Sequence, residues 1–189
     1  MSKHYGLIGA HRTGKTTSAK KFAIPPHVQY LEIATSSMLV EMGYNARDQY
    51  DIGTRLLIQE QLLDRVEPIY EQAPCSVTDR TPLDFLIYMQ ADIVRDFPQE
   101  LEERFEKYYL RCVQMYFDYF SCGCVIQPGI PIVDDLKSAP PSKAYIYHLN
   151  TLAVGLAEKL NICVMPDTIL GLDERDEYLS NLFFSYHDC

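Results

Sequence analysis

Short apolar runs alternate along this chain with longer stretches in which apolar residues recur every three or four positions. The short runs predict five strands, at His4–Gly9, Val28–Ile33, Cys75–Thr78, Gly123–Gln127 and Ile162–Met165. The longer stretches predict helices at about Gly14–Phe22, Thr35–Met42, Asp48–Glu71, Leu83–Asp92, from Pro98 to about Tyr116, Ser142–Leu160 and Glu174–Phe184. Strands that are separated by helices are typical of a parallel sheet, so the pattern predicts an α/β fold with a mainly parallel sheet of five strands.

The domain organisation is simple. The 189 residues contain no internal repeat, no low-complexity segment and no Gly/Ser linker, so we expect one domain over residues 1–189. Its one long irregular segment, Pro128–Pro141, is dense in proline and charge and predicts a lid-like loop. No apolar run approaches the ~20 residues that span a bilayer. Lys15, Lys20 and Lys21 interrupt any signal-peptide core, so we expect a cytoplasmic protein.

The first strand is followed by a phosphate-binding pattern, Gly9-x-x-x-x-Gly14-Lys15-Thr16. Glycines at both ends permit backbone angles that turn successive N–H groups inward, and the helix that follows directs its positive end at the anion. Lys15 is then placed for the outer phosphates of ATP, and the Thr16 hydroxyl for Mg²⁺. The predicted nucleotide-binding residues are Gly9, Ala10, His11, Arg12, Thr13, Gly14, Lys15, Thr16 and Thr17.

A second polar group follows the third predicted strand. Asp79 ends that strand, and in a parallel sheet this end lies beside the phosphate loop. A carboxylate there can hold the metal, so Thr16 and Asp79 are the predicted metal ligands. Arg80 can bind a phosphate oxygen through its planar guanidinium.

The segment that begins at Thr78, TDRTPLDFLIY, resembles the D-R-x-x-x-D-x-x-x-Y signature of small P-loop kinases related to the nicotinamide riboside kinase domain. It is also similar to motifs of thymidylate and deoxynucleoside kinases. Looser similarities follow in the right order over nearly the whole chain, including CGCVIQPGIPIVDDLK and LNICVMPDTILGLDERDEYL. The resemblance implies a three-layer α/β/α P-loop NTPase fold and an ATP- and Mg²⁺-dependent transfer of phosphate to a small acceptor.

The resemblance also implies roles for individual residues. Lys15, Asp79 and Arg80 would be catalytic, and Glu32 would act as a base for an acceptor hydroxyl or, with a phosphate acceptor, would bind sugar or metal-bound water. The family's lid usually supplies an arginine, but Lys137 stands at the matching place here. Either Lys137 or Arg12 would replace it, or catalysis would be slow, whereas His11 receives no catalytic role.

The predicted acceptor residues are Glu32, Arg47, Arg55, Gln59, Arg80 and Asp84. Gln59 can read a base edge or can be an exposed helix residue. Arg47 and Arg55 can bind an acceptor phosphate or can pair with Asp48 and Asp51.

Three kinds of function stay open beside the leading one, a kinase for a nucleoside or nucleoside monophosphate with deoxynucleotide or thymidylate-type acceptors favoured. They are a kinase for polynucleotide ends or modified bases in DNA, a nucleotide-dependent switch ATPase, and a degenerate nucleotide-binding module. The net charge of −9 disfavours nucleic acid as a partner, and membrane association is not expected. The sequence does not determine the oligomeric state, and a homodimer stays open.

Overall fold

The sheet of this protein contains five strands that all run parallel. The computed structural model describes residues 4–23, 27–45, 47–93, 95–131 and 142–185. The strands are β1 (His4–Ile8), β2 (Gln29–Tyr30), β3 (Ser76–Thr78), β4 (Phe120–Val125) and β5 (Cys163–Val164). Their order across the sheet is β2-β3-β1-β4-β5, and every pair is parallel. The predicted α/β class and strand direction are confirmed.

Helices cover both faces of the sheet and make it the middle of three layers. They are α1 (Lys15–Phe22), α2 (Thr35–Glu41), α3 (Ile52–Gln72), α4 (Pro82–Ala91), α5 (Glu102–Tyr119), α6 (Lys143–Leu160) and α7 (Leu172–Phe184), with a 3₁₀ turn at Gln99–Leu101. One core cluster joins the sheet to α1 and α7, and a larger one joins it to α2 through α6. No helix in the described segments has both the length and the apolar character needed to cross a bilayer.

Element boundaries differ from the sequence prediction where local hydrogen bonds decide them. The third helix begins at Ile52 and not at Asp48, because the Asp51 side chain accepts hydrogen bonds from the Thr54 backbone N–H, at 2.9 Å, and hydroxyl. Strand β2 is two residues long, since it lies at the edge of the sheet and pairs only with β3. Strand β4 begins at Phe120, three residues before the predicted start, because Phe120 and Cys122 pair with β1.

The topology determines where the polar residues meet. Strand β1 lies between β3 and β4, with Tyr5 opposite Val77 and Gly6 opposite Thr78. The carboxyl ends of β1 and β3 therefore lie side by side. The loop that follows β1 and the residues that follow β3 come together at this edge of the sheet, where open α/β sheets bind ligands.

Candidate active site

The loop after β1 has the backbone geometry that its glycines predict. Gly9 and Gly14 adopt φ values of 129° and 88°. A Cβ atom on Gly9 would lie 2.9 Å from the carbonyl oxygen of Ile126, so a side chain there is excluded by sterics as well as by φ. Arg12 also has a positive φ, 63°, which is uncommon for a residue with a side chain. The loop thus keeps an uncommon backbone conformation at three positions.

Asp84, in α4, lies beneath this loop and accepts a hydrogen bond from its backbone. Its carboxylate accepts a hydrogen bond from the Gly9 N–H at 3.1 Å and two from Thr81, through the backbone N–H and the hydroxyl, both at 2.8 Å. Thr81 caps α4 and pairs with Asp84 in a capping box. Asp84 is fully buried, so its oxygen atoms are directed at the chain. The structure places this predicted acceptor residue beneath the loop, and it acts on the loop's position.

Lys15 is folded back against its own loop. Its Nζ donates to the carbonyl oxygens of Gly9, at 2.5 Å, and Ala10, at 2.8 Å, and lies 3.8 Å from an Asp84 oxygen. Burial lowers the pKa of Lys15 to about 8, against the opposite effect of the Asp84 charge. The lysine is therefore a buried cation held at the place where phosphate is expected.

The predicted metal ligands are adjacent. The Thr16 hydroxyl donates a hydrogen bond to Asp79, whose other oxygen accepts one from the Tyr30 hydroxyl at 3.0 Å. A hydroxyl and a carboxylate are the hard oxygen ligands that Mg²⁺ prefers, so these residues fit that ion. Among the described residues, no group of three or more His, Cys, Asp or Glu side chains is placed to hold a metal. Phosphate oxygens and water would have to complete the shell.

Arg175, in α7, contacts the loop, and no motif in the sequence predicts this contact. Its guanidinium donates to the Thr13 carbonyl oxygen at 2.6 Å and to the Ile169 carbonyl oxygen at 3.3 Å. Its exposed fraction is only 3%, and burial lowers its pKa. A buried guanidinium thus holds the loop from the side opposite Asp84. Arg175 lies more than 150 positions from the loop, and no periodicity of the sequence connects the two.

Two cavities lie at this edge of the sheet. The phosphate-loop cavity is lined by His11 through Thr17, Asp79, Arg80, Ile130 and Pro131. The inner cavity lies between α2, α3, α4 and α6. Its walls are mainly apolar, with Leu39, Ile58, Leu62, Phe85 and Tyr145. Its polar lining residues are His11, Thr35, Ser36, Arg55, Gln59, Arg80 and Tyr88.

Gln59 has the most informative position in the inner cavity. It is 94% buried, since its exposed fraction is 6%, and the exposed-helix alternative is therefore wrong. Its Oε1 atom has no hydrogen-bond partner among the described residues. Buried amide oxygens are normally paired, so this atom is available to accept a hydrogen bond from a water or from a ligand.

The predicted arginines differ in their positions. Arg55 lines the inner cavity, but its Nε donates to Asp92 at 2.5 Å, so it pairs with a different acidic residue from the two that the sequence suggested. Arg47 is not among the residues that line either cavity. Glu32 is exposed and follows β2 at the same edge of the sheet. Lys137 and most of the predicted lid, residues 132–141, lie outside the described residues.

A hydrogen-bond network joins the loop to the inner cavity. The Tyr88 hydroxyl lies 3.0 Å from the backbone N and 3.0 Å from the Nδ1 of His11. The positive charge of Arg80 interacts with the same tyrosine, and its guanidinium carbon lies over the Tyr88 ring, 5.6 Å from the ring centroid. The signature tyrosine is therefore the contact between the phosphate loop and the residue after Asp79.

The sheet, its flanking helices and this loop together have the three-layer α/β/α architecture with a P-loop after the first strand. No family model and no curated protein matches the chain. Solved structures of two kinds are similar to it. A NadR structure in complex with NR superposes with a TM-score of 0.71 at 16% identity, over 100% of this chain. Deoxyadenosine kinase from M. mycoides with bound dATP superposes with a TM-score of 0.69 at 14% identity, over 96% of this chain.

The two comparisons differ in how much of the other protein they include. This chain spans about half of the NadR chains, 52% of the one with NR and 50% of one with NAD and AMP-PNP, but 99% of the deoxyadenosine kinase. At these identities the similarity establishes the fold. The resemblance to P-loop nucleoside kinases that the sequence predicts is confirmed at that level.

Proposed function

We propose that this protein is a kinase that transfers the γ-phosphoryl group of ATP to a nucleoside. The observation that supports this most is the arrangement of the two cavities. Each is lined in part by His11 and Arg80, so a phosphate chain in one and an acceptor in the other would meet there. A group-transfer enzyme needs such a meeting point, whereas an ATPase needs only water beside the phosphate.

On the donor side, the described residues match what phosphoryl transfer requires. Lys15 and Arg80 carry positive charge beside the loop, and the loop's N–H groups precede the first turn of α1. Thr16 and Asp79 would hold Mg²⁺, which when bound neutralises charge on the phosphates. The solved NadR and deoxyadenosine kinase structures include AMP-PNP and dATP, respectively, and this supports ATP as the donor.

On the acceptor side, the inner cavity suits a nucleobase and its sugar. Apolar walls from Leu39, Ile58 and Phe85 would contact the faces of a base, and the Gln59 amide would pair with a base edge that donates an N–H. Thr35 and Ser36 add hydroxyl groups within reach of a sugar. The similar NadR structure is a complex with NR, and a further deoxyadenosine kinase structure contains dCMP as a product; both are consistent with a nucleoside as acceptor.

The charges favour a nucleoside over a monophosphate. A phosphate acceptor needs cations that are not already neutralised, but Arg55 is paired with Asp92. Arg80 is shared with the phosphate loop and interacts with Asp79 and Asp84. The described lining of the inner cavity therefore offers no second cation that is unpaired with a carboxylate.

The transfer has a simple balance. The acceptor's hydroxyl oxygen forms a bond to the γ-phosphorus, and the bond from that phosphorus to the β,γ-bridging oxygen breaks, leaving its electron pair on ADP. The hydroxyl proton passes to a carboxylate. Glu32, exposed at the end of β2, is the residue we assign to accept it.

An acceptor panel tests the proposal. Purified protein is incubated with labelled ATP, Mg²⁺ and, separately, each common nucleoside, each monophosphate and a short DNA strand. We expect label in nucleoside monophosphate with at least one nucleoside, and none with Lys15→Ala. Transfer only to monophosphates would show that the proposed acceptor is wrong. Transfer only to DNA would show that the proposed class of enzyme is wrong. ATP hydrolysis without transfer would favour the switch ATPase.

A further inference from the structure

His11 belongs to both halves of the site. Its backbone is part of the phosphate loop, whereas its ring lies near Tyr88 and Tyr145, with ring centroids 6.1 Å away in each case. Both tyrosines line the inner cavity. In the described part of the chain, His11 and Arg80 are the two residues that line both cavities. The ring is therefore placed on the acceptor side of the point where transfer would occur.

The hydrogen bonds around Tyr88 determine which ring nitrogen carries the proton. A phenolic hydroxyl has one proton to donate and can accept twice. The Tyr88 oxygen accepts from the His11 backbone N–H, and the positive charge of Arg80 beside it disfavours a hydroxyl proton directed to that side. Its own proton therefore goes to Nδ1, at 3.0 Å, and the neutral ring carries its proton on Nε2. Tyr88 thus orients the ring and presents an N–H at the far edge.

We propose that His11 is a catalytic residue of the transfer, whose Nε2–H donates a hydrogen bond to a non-bridging oxygen of the transferring phosphoryl group. This inference rests on the proposed function and deepens it. A neutral donor that is already oriented strengthens its hydrogen bond as charge redistributes in the transition state, and the ring needs no proton transfer of its own. His11 would thus add a neutral hydrogen-bond donor to the positive charge that Arg80 places at the same point.

The test compares two substitutions at this position. His11→Leu keeps the approximate size but removes the donor, and we expect kcat to fall on the order of 100-fold. The KM values for ATP and nucleoside should stay within about threefold, because the contact strengthens only in the transition state. His11→Gln keeps an N–H donor at similar reach and should recover most of the loss.

Tyr88→Phe gives an independent measurement. The change leaves a ring in place but removes the hydroxyl that fixes the tautomer, so we expect kcat to fall by about tenfold in the wild-type background. In the His11→Leu background the same change should have a smaller effect, since the group that it orients is already absent. Equal losses of kcat in both backgrounds would overturn the proposal. If His11→Leu does not fold, the same comparison is made in the His11→Gln background.

A control isolates the chemical change. His27 is exposed and precedes β2, at the edge of the sheet opposite the site, so His27→Leu should leave kcat unchanged. If the wild-type protein transfers phosphate but His11→Leu keeps kcat within twofold, the inference fails and the proposed function stands. A rise in the nucleoside KM alone would also overturn it, since His11 would then only bind the acceptor. No transfer by the wild type would instead contradict the proposed function.

Discussion

Lys15 Nζ and the Asp84 carboxylate lie 3.8 Å apart beneath the phosphate loop, and both side chains are buried. The lysine also donates to two carbonyl oxygens of the loop, and the aspartate accepts the Gly9 N–H. The loop is thus held in this conformation by one charged residue that follows it directly, Lys15, and by one from α4, Asp84. When a phosphate chain binds, Lys15 Nζ must exchange its carbonyl partners for phosphate oxygens, whereas Asp84 keeps its hydrogen bonds to the backbone.

This arrangement predicts how ATP affinity depends on pH. The pKa of Lys15 is lowered to about 8, so the free protein loses this charge above pH 8, whereas bound phosphate would restore it. ATP affinity should be flat from pH 6.5 to 7.5 and should fall by roughly tenfold per pH unit above 8. Calorimetry in two buffers of different ionisation enthalpy should show proton uptake on binding. Affinity that stays constant up to pH 9.5 would contradict the assignment.

The same pKa shift affects folding with a defined sign. Between pH 8 and the ordinary lysine value of 10.5, the unfolded chain holds the proton more tightly than the folded protein. The contribution of Lys15 to the free energy of unfolding therefore increases as pH rises through this window. Lys15→Met should remove that increase, and urea unfolding of both proteins at pH 7.5 and pH 9.5 measures the difference.

Arg175 should stabilise the loop from behind. Arg175→Leu removes the hydrogen-bond donor to the Thr13 carbonyl oxygen. Thr13 is only 1% exposed, so the substitution leaves a buried oxygen unpaired. We expect the free energy of unfolding to fall by about 2 kcal/mol and ATP to bind more weakly. Arg104→Leu, which breaks a surface pair with Glu60, is the matched control and should cost less than about 1 kcal/mol. Equal losses of unfolding free energy in the two variants would show that the contact between Arg175 and Thr13 stabilises the protein no more than a surface ion pair does.

Gln59 should separate stability from activity. Gln59→Leu replaces a buried amide whose oxygen lacks a partner, so the free energy of unfolding should stay the same or rise. The kcat/KM for the nucleoside should fall by about 100-fold or more, because the base edge loses its partner. Gln61→Leu makes the same chemical change in the same helix outside the inner cavity, and it should leave kcat/KM unchanged. A loss of stability without a loss of kcat/KM would remove Gln59 from the acceptor site.

Two cations remain candidates for the charge that a lid arginine usually supplies. If Lys137 reaches the transferring phosphate, Lys137→Ala should lower kcat with little change in the ATP KM, and Lys137→Arg should be tolerated. If Lys137 only pairs with Asp134 or Asp135, both changes should leave kcat within about twofold. Arg12, which lines the phosphate-loop cavity, would then carry the role, and Arg12→Ala measured beside Lys137→Ala separates the two.

The sequence predicted the parts of the molecule that depend on local rules. The glycines at 9 and 14 predicted a loop with positive φ, and both have it. Asp79 at a strand end predicted a carboxylate beside Thr16, because parallel strands align their carboxyl ends. Short apolar patterns that alternate with longer helical ones predicted a mainly parallel sheet of five strands, and all four strand pairs of the sheet are parallel.

The parts that could not be predicted depend on contacts between distant segments. Arg175 and Thr13 are brought together by the packing of α7 beside α1, which no periodicity reports. Asp84 matches a signature position, but its burial under Gly9 depends on how α4 meets β1. His11 occupies a variable position of the loop pattern, and its closeness to Tyr88 appears only in three dimensions. Residue type and spacing indicated the chemistry, whereas tertiary packing assigned each residue its neighbours.

The most direct test of the central claim is the stoichiometry of ADP and phosphorylated acceptor. Purified protein, ATP, Mg²⁺ and the best nucleoside of the panel are sampled over time, and both products are separated and quantified. We predict one nucleoside monophosphate for each ADP, with ADP release that is slow until the nucleoside is added. ADP that forms at the same rate without a nucleoside, and with no phosphorylated product, would contradict the account.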